Sequence, residues 1–293
     1  MTRNTILIKL AEAVSFSFLD KEEQHKTGPK TYLKSALTKA LLFRNLLGFS
    51  SDKELIRKMR IFPQILKACK LKKVPSASTI SRARSRINLN EVFYFLVSKA
   101  KELGLSRGFI LSVDSTAFEA YLKGDREAKW GYCAVKEEHI FGYKAHIVTD
   151  AESELPVAVV VTPANEHDST QFFPLVKRIW KNFTHEIKKI LADSAYDFSR
   201  IRSFLRKIGV EDIIDRNKRN GKDFGKPKDK DYRKRVSSER VNSRAKGSFC
   251  LEKFTFSGIK RALQHTYCSL SAMLYSAIGC FLLGFKDWRK IVV

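Results

Sequence analysis

The chain has 293 residues and a formal net charge of +24 at neutral pH, and this length accommodates one large or two modest globular domains. The charge is concentrated, because residues 30–107 hold 18 Lys and Arg against 4 Asp and Glu, and residues 216–246 hold 13 against 4. Two basic regions around a near-neutral middle predict a polyanionic partner, most simply nucleic acid. They disfavour a carbohydrate-active protein. The five scattered cysteines lack the spacing of a zinc site and are expected to be reduced core thiols.

One segment offers a membrane helix as an alternative to a globular fold. Residues 268–285 are 18 residues without a charge, the minimum length for a membrane span. Their many small residues suit a helix packed against a sheet equally well. A buried helix is favoured, because a single marginal span would be an odd anchor for a protein that binds polyanions. The first ten residues lack the long apolar run of a signal peptide, so we expect a protein that does not enter a membrane.

The first third of the chain predicts an all-helical N-terminal domain over residues 1–107. Apolar spacing and capping residues indicate helices over residues 30–47, 51–60, 63–70, 79–87 and 91–103. Asn90 is the expected cap of the last of these helices. The helix over 79–87 carries Arg82, Arg84 and Arg86 and is a candidate for insertion into a DNA groove, with a solvated arginine face as the alternative.

From residue 109 the pattern changes from a helical period to β-strands. Strands are predicted over residues 109–116, 141–149, 156–162, 188–193 and 210–215, with helices over 169–180 and 199–207. The first three strands form an antiparallel meander. His167 and Asp168 are expected to cap the first of the two helices, with a catalytic role as the alternative. Trp130 and Trp180 are expected to be packing residues.

Two carboxylates lie within or at the end of these strands. Asp114 interrupts the apolar strand Phe109–Thr116, and Asp193 ends the fourth strand. Burying a carboxylate without a partner costs several kcal/mol, so such residues are usually paired, hydrogen-bonded or bound to a cation. The alternative for both is a structural role as a turn or helix cap.

The basic stretch after the fifth strand reads as a cationic loop over residues 216–235, leading into a helix. Five residues of that helix fall at steps of three and four, which places them on one face. This face carries one acid among two cations, a phenol and an amide, which suits a metal-binding carboxylate between phosphate-binding groups. An ordinary surface pair between Glu239 and Arg235 is the alternative. The five residues are Tyr232, Arg235, Glu239, Asn242 and Lys246.

The same stretch resembles the Y-x2-R-x3-E-x6-K signature of DDE transposases from bacterial and archaeal insertion sequences. Tyr232, Arg235, Glu239 and Lys246 match every position of it. The resemblance extends over roughly residues 30–285. It implies a ribonuclease H-like catalytic core over residues 108–293, of the α+β or α/β class, with a mixed five-stranded sheet flanked by helices.

By this resemblance Asp114, Asp193 and Glu239 are the catalytic carboxylates and hold two divalent cations, Mg²⁺ or alternatively Mn²⁺. Tyr232, Arg235 and Lys246 would position the DNA end. The implied reaction is strand cleavage at element ends followed by transfer of the 3′-hydroxyl into target DNA. The implied partners are double-stranded DNA and a second copy of the chain, in the cytoplasm at the nucleoid. Two alternatives stay open: an inactive or domesticated DNA-binding relative, and a nuclease of the same fold without strand transfer.

Overall fold

The computed structural model describes residues 3–23, 32–133, 137–218, 225–285 and 287–290. These residues belong to two compact units. The first comprises Met1–Leu96, Ala245–Lys253 and Gln264–Val293, and the second comprises Val97–Arg244 and Phe254–Leu263. The sequence predicts the first helix from residue 30, but residues 24–31 lie outside the described part of the chain.

The first unit is helical. The predicted helices are present with bounds shifted by a few residues, and a further helix at the start of the chain was not anticipated. Two of the helices, α6 and α10, also contribute residues to the second unit. The helices are α1 (Arg3–Ala13), α2 (Lys34–Leu46), α3 (Asp52–Ile61), α4 (Pro63–Ala68), α5 (Ala77–Arg86), α6 (Leu89–Glu102) and α10 (Ile259–Leu282).

Helix α10 confirms the prediction of a buried apolar helix. From Gln264 onward it belongs to the helical unit. Tyr275 stacks on Phe16 at 5.9 Å between ring centroids. Gly279 leaves room for Leu10, because a Cβ there would lie 2.4 Å from the Leu10 side chain. Across the described residues, no helix is long and apolar enough to cross a membrane.

Arg84 corrects one of the predicted DNA contacts. Its side chain is only 2% exposed, and its Nη2 donates to Asp52 Oδ1 at 2.5 Å. Arg44 contacts the same oxygen, with its Nε 3.4 Å from Asp52 Oδ1. A buried arginine needs such a partner because removing its charge from water is costly. Arg84 therefore stabilises the helical unit and is not available to a DNA groove, whereas Arg82 and Arg86 are exposed.

The second unit is built on a mixed sheet of six strands. Five were predicted, and the sixth, β2, was not. The strands are β1 (Ile110–Glu119), β2 (Lys129–Cys133), β3 (Glu138–Asp150), β4 (Leu155–Pro163), β5 (Lys189–Ala192) and β6 (Glu211–Ile214). The flanking helices are α7 (Phe172–Phe183), α8 (Ser199–Lys207) and α9 (Val236–Gly247), the last of which passes into the first unit at Ala245.

Strand β1 lies at the centre of the sheet. It pairs antiparallel with β3 on one side and parallel with β5 on the other, and β5 continues parallel to β6. Strands β4 and β2 both pair antiparallel with β3, along different parts of its length. The long β3 therefore connects the unpredicted strand to the core of the sheet.

Strand β2 also corrects the expectation for Trp130, which is 65% exposed and is not a packing residue. Its ring touches Phe141 on β3, with centroids 5.6 Å apart. The next residue, Gly131, is buried because the strand passes very close to Ala164, whose carbonyl oxygen would lie 2.1 Å from an added Cβ. One face of β2 is thus packed tightly while the other carries exposed rings.

Candidate active site

The parallel pairing of β1 and β5 brings the two predicted aspartates together. Val113 on β1 is in register with Ala192 on β5. Asp114 and Asp193 are the next residues on each strand, so they lie side by side where this pairing ends. Carboxyl ends of parallel strands are where side chains project into a crevice as backbone pairing stops. The sequence could indicate both residues but not that their strands are neighbours.

Burial and nearby negative charges shape the electrostatics of this pair. The pKa of Asp114 is raised to about 7, mainly by burial and also by the charges of Asp193 and Asp168, against the opposing effects of the Ser115 amide and Arg235. Burial likewise raises the pKa of Asp193, with Asp168 and Asp215 acting in the same direction. The two carboxylates thus occupy a site where a positive charge would relieve both desolvation and repulsion.

Helix α9 approaches Asp114 through its amide residue. Asn242 Nδ2 donates to Asp114 Oδ2 at 2.9 Å, while the Ser115 amide donates to Asp114 Oδ1 at 2.8 Å. Four residues before Asn242 on the same helix, the Ser238 hydroxyl accepts a hydrogen bond from the Ser112 hydroxyl on β1, with 3.1 Å between the oxygens. These contacts fix α9 along β1 and give each oxygen of Asp114 one hydrogen-bond donor.

Glu239 has a different environment from the two aspartates. It is on the same helix but its side chain is 50% exposed, and its Oε1 accepts from Arg235 Nη2 at 2.6 Å. Within the described ranges, no group of three or more His, Cys, Asp or Glu side chains is placed to hold a metal ion. The structure therefore gathers Asp114 and Asp193 and leaves Glu239 in the surface pair that the sequence offered as its alternative.

The predicted helix over Tyr232–Lys246 is only partly a helix. Residues Lys230–Arg235 form a 3-10 turn and α9 begins at Val236, so Tyr232 and Arg235 precede the helix. Tyr232 donates its hydroxyl to Asp215 Oδ2 at 3.0 Å. Of the basic loop predicted over 216–235, residues 219–224 lie outside the described part of the chain.

Lys246 lies at the far end of α9, among the residues of the first unit. Its Nζ is 3.5 Å from Glu252 Oε1 in that unit. A role for Lys246 in positioning DNA stays a prediction.

Asp168 is the acidic residue that sequence reasoning misassigned. The helical turn Asp168–Gln171 has His167 at its N-cap with no side-chain cap bond, so the predicted capping role is wrong. Asp168 instead accepts from Ser115 Oγ through Oδ2 and from Lys144 Nζ through Oδ1, each at 2.9 Å. The sequence offered a role in catalysis for this residue only as the alternative to capping.

A buried histidine lies behind Asp168. His146 Nε2 lies 2.9 Å from Thr162 Oγ1, within hydrogen-bond distance. His146 Nδ1 has no hydrogen-bond partner in the described chain and lies 3.6 Å from Asp168 Oδ1. Burial lowers the pKa of His146 to about 4, so the ring is neutral near pH 7.

The order and directions of the strands are those of a ribonuclease H-like fold, with one acidic residue within β1 and one directly after β5, where the pairing of these two strands ends. The family model described as Transposase DDE domain matches residues 107–275, and the model described as Transposase domain (DUF772) matches residues 1–86. The chain belongs to the DDE transposases.

One curated relative and two solved structures are similar to this chain over different shares of its length. The transposase described for insertion sequence element IS402 of Burkholderia cepacia is 38% identical over 92 residues, which cover 29% of this chain and 43% of that protein. The chain thus matches less than half the length of this relative.

The first solved structure is the piggyBac transposase synaptic complex with hairpin DNA, at 10% identity and a TM-score of 0.46, covering 99% of this chain and 78% of that chain. The second is the Mos1 mariner paired-end complex with Mn, at 15% identity and a TM-score of 0.24, covering 67% of this chain and 62% of that chain.

Proposed function

We propose that this chain cuts DNA at the ends of an insertion sequence and joins the freed 3′-hydroxyl to target DNA. The observation that carries the proposal is the pair Asp114 and Asp193, adjacent where the pairing of β1 with β5 ends, in a DDE transposase fold. Their raised pKa values indicate a site whose carboxylates are destabilised in the charged form by burial and by neighbouring negative charges.

The donor set fits hard divalent cations, because carboxylate oxygens are the ligands such ions prefer. Asp114 and Asp193 would hold them, and Mg²⁺ is the proposed ion. Glu239 would complete the set after leaving Arg235. Asn242, three residues further along α9, already contacts Asp114, and residues at this spacing share a helix face. Cations bound there supply activation of the attacking oxygen and stabilisation of the leaving oxygen.

The cationic groups around the carboxylates would bind the phosphates of the DNA end. Arg235 is half-buried and faces both Glu239 and the charge of Asp114, so a phosphate could take the place of Glu239 as its partner. Tyr232 and Lys246 would act beside it, and Asn242 would keep Asp114 oriented. When DNA binds, Arg235 would release Glu239, and Glu239 could then join Asp114 and Asp193 as the third metal-binding carboxylate.

The remaining assignments concern the whole chain. We assign DNA binding and oligomerisation to residues 1–107, with Arg82 and Arg86 as phosphate or base contacts, and catalysis to residues 108–293. The substrate is double-stranded DNA bound by a homodimer, at the nucleoid. The excess of positive charge in the two basic regions supports a phosphate-rich partner.

The test is cleavage and joining of a labelled DNA that carries the element's own ends, with Mg²⁺. Wild type is compared with Asp193→Asn and with Asp212→Asn, a matched control whose carboxylate pairs with Arg202. We expect joined products for the wild type and the control and none for Asp193→Asn. Cleavage without joining by the wild type would favour the nuclease, and tight binding with neither activity would favour the DNA-binding relative.

A further inference from the structure

We propose that Asp168 is a positioning residue for the Asp114 site, acting through Ser115. Ser115 donates its hydroxyl to Asp168 Oδ2 at 2.9 Å and its backbone amide to Asp114 Oδ1 at 2.8 Å. One residue thus connects the two carboxylates. A group that holds the Ser115 side chain also fixes the direction of the amide that orients Asp114.

The other carboxylate oxygen of Asp168, Oδ1, is held by Lys144. Lys144 Nζ donates to Asp168 Oδ1 and to the Glu166 carbonyl oxygen, both at 2.9 Å. His146 is fully buried next to the same oxygen. The Lys144 and Asp168 side chains are 14% and 18% exposed, so this ion pair is less screened than a surface pair. Asp168 therefore has little freedom to move.

The position of Asp168 gives it a second influence on the site. Its negative charge acts on both Asp114 and Asp193. A fixed negative charge beside two carboxylates favours a cation between them. Partners that orient ligating carboxylates commonly change metal affinity by about 10- to 100-fold when removed. The inference rests on the proposed function, because it assigns Asp168 to the support of that same carboxylate site.

The experiment measures cation binding without DNA or turnover. Thermal unfolding of the full chain is followed while Mg²⁺ or Mn²⁺ is titrated, and the concentration that gives half of the stabilisation is recorded. A ligand that binds only the folded state raises the unfolding temperature in this way. We expect Asp168→Asn to raise that concentration about tenfold. Ser115→Ala should act in the same direction, and Ser115→Thr, which keeps the hydroxyl, should match the wild type.

Controls separate positioning from stability. Asp212→Asn removes an ion-paired carboxylate elsewhere in the same unit and should leave the half-stabilising concentration unchanged. If Asp168→Asn lowers the unfolding temperature without metal but leaves that concentration unchanged, Asp168 is only a structural ion-pair partner and the inference is wrong. If wild type and Asp114→Asn both show no metal-dependent stabilisation, the proposed metal site fails and the inference fails with it.

Discussion

Asp114 shows how a single buried carboxylate couples the site to stability. Its pKa of about 7 in the folded chain lies above the value near 3.9 of an unfolded chain. The folded state therefore binds its proton more tightly than the unfolded state does between these two pH values. Stability is greatest below the unfolded pKa and is lost as pH rises through the folded pKa.

We therefore expect the metal-free protein to lose stability between about pH 4 and pH 7, by up to about 4 kcal/mol from Asp114. Asp193, whose pKa is also raised, adds a loss in the same direction. Denaturant unfolding at several pH values without divalent ions measures this. Asp114→Asn should flatten the dependence, and a variant as pH-dependent as the wild type would contradict the assignment.

Arg84 illustrates a residue whose role depends on partners distant in the sequence. Its contacts to Asp52 and to Cys268 Sγ, at 3.8 Å, come from other helices of the first unit. Arg84 lies four residues after Ile80 and three before Ile87, so helical spacing places it on the apolar side of α5, unlike Arg82 and Arg86. The partners that hold its charge there, however, come from other helices that no local pattern identifies.

Arg84→Ala should destabilise the protein by about 3 kcal/mol, because breaking a buried ion pair leaves a carboxylate with incomplete compensation. Arg82→Ala is the matched control, and as a surface change it should stay within about 0.5 kcal/mol. Urea unfolding of both variants measures the difference. Equal, small effects would show that Arg84 is not a buried structural residue.

At the scale of secondary-structure elements, hydrophobic periodicity predicted the regular helices and strands but missed the features that depend on contacts with other elements. Helix α8 has the predicted bounds. Helix α6 begins at Leu89. Its N-terminus is capped by Asn88, whose Oδ1 accepts from the Glu91 amide, and not by Asn90 as expected. Asn90 instead accepts from Tyr267 of the same unit. Two candidate caps two residues apart could not be distinguished without that partner.

Strand β2 was missed because its pattern is not that of a buried strand. Trp130 and Tyr132 are exposed large side chains, and Gly131 between them weakens the preference for a strand. The strand forms because Gly131 allows close passage of Ala164, a contact that no local rule reveals. The central pairing of β1 with β5 was equally hidden, because parallel neighbours are distant in sequence.

Gly131→Ala should cost about 1 to 3 kcal/mol, because the new methyl group overlaps the Ala164 backbone. Gly124→Ala in the same unit is the control, since an added Cβ meets nothing within 4 Å there. Thermal or urea unfolding compares the two variants. A Gly131→Ala protein as stable as the control would show that β2 does not pack against Ala164 in this way.

At the scale of the whole molecule, the charge of +24 is the property that composition predicted most directly. Phosphate contacts release counterions, so DNA affinity should fall steeply with salt. Arg82 and Arg86 are the exposed cations of α5, the helix proposed to meet DNA. The contribution of these two arginines to DNA affinity can be separated from that of the other charges by measuring how the salt dependence of binding changes when they are replaced.

Replacing Arg82 and Arg86 together by Ala should reduce the slope of log affinity against log salt by about two, because each arginine would neutralise one phosphate. Replacing Lys99 and Lys177, two exposed or partly exposed lysines on α6 and α7, gives a charge-matched control. Fluorescence anisotropy at several salt concentrations measures both slopes. The same slope change for both pairs would mean that α5 has no special role in DNA binding.

The proposed chemistry depends most on Asp193 acting as a metal ligand, and a change of ligand atom tests this directly. DNA joining is measured for Asp193→Cys in Mg²⁺ and in Mn²⁺, because a thiolate is a poor ligand for Mg²⁺ and a better one for softer ions. Asp212→Cys is the control. We predict joining by Asp193→Cys in Mn²⁺ but not in Mg²⁺, with wild type and control active in both. Equal activity of Asp193→Cys in the two metals would contradict the assignment of Asp193 as a ligand.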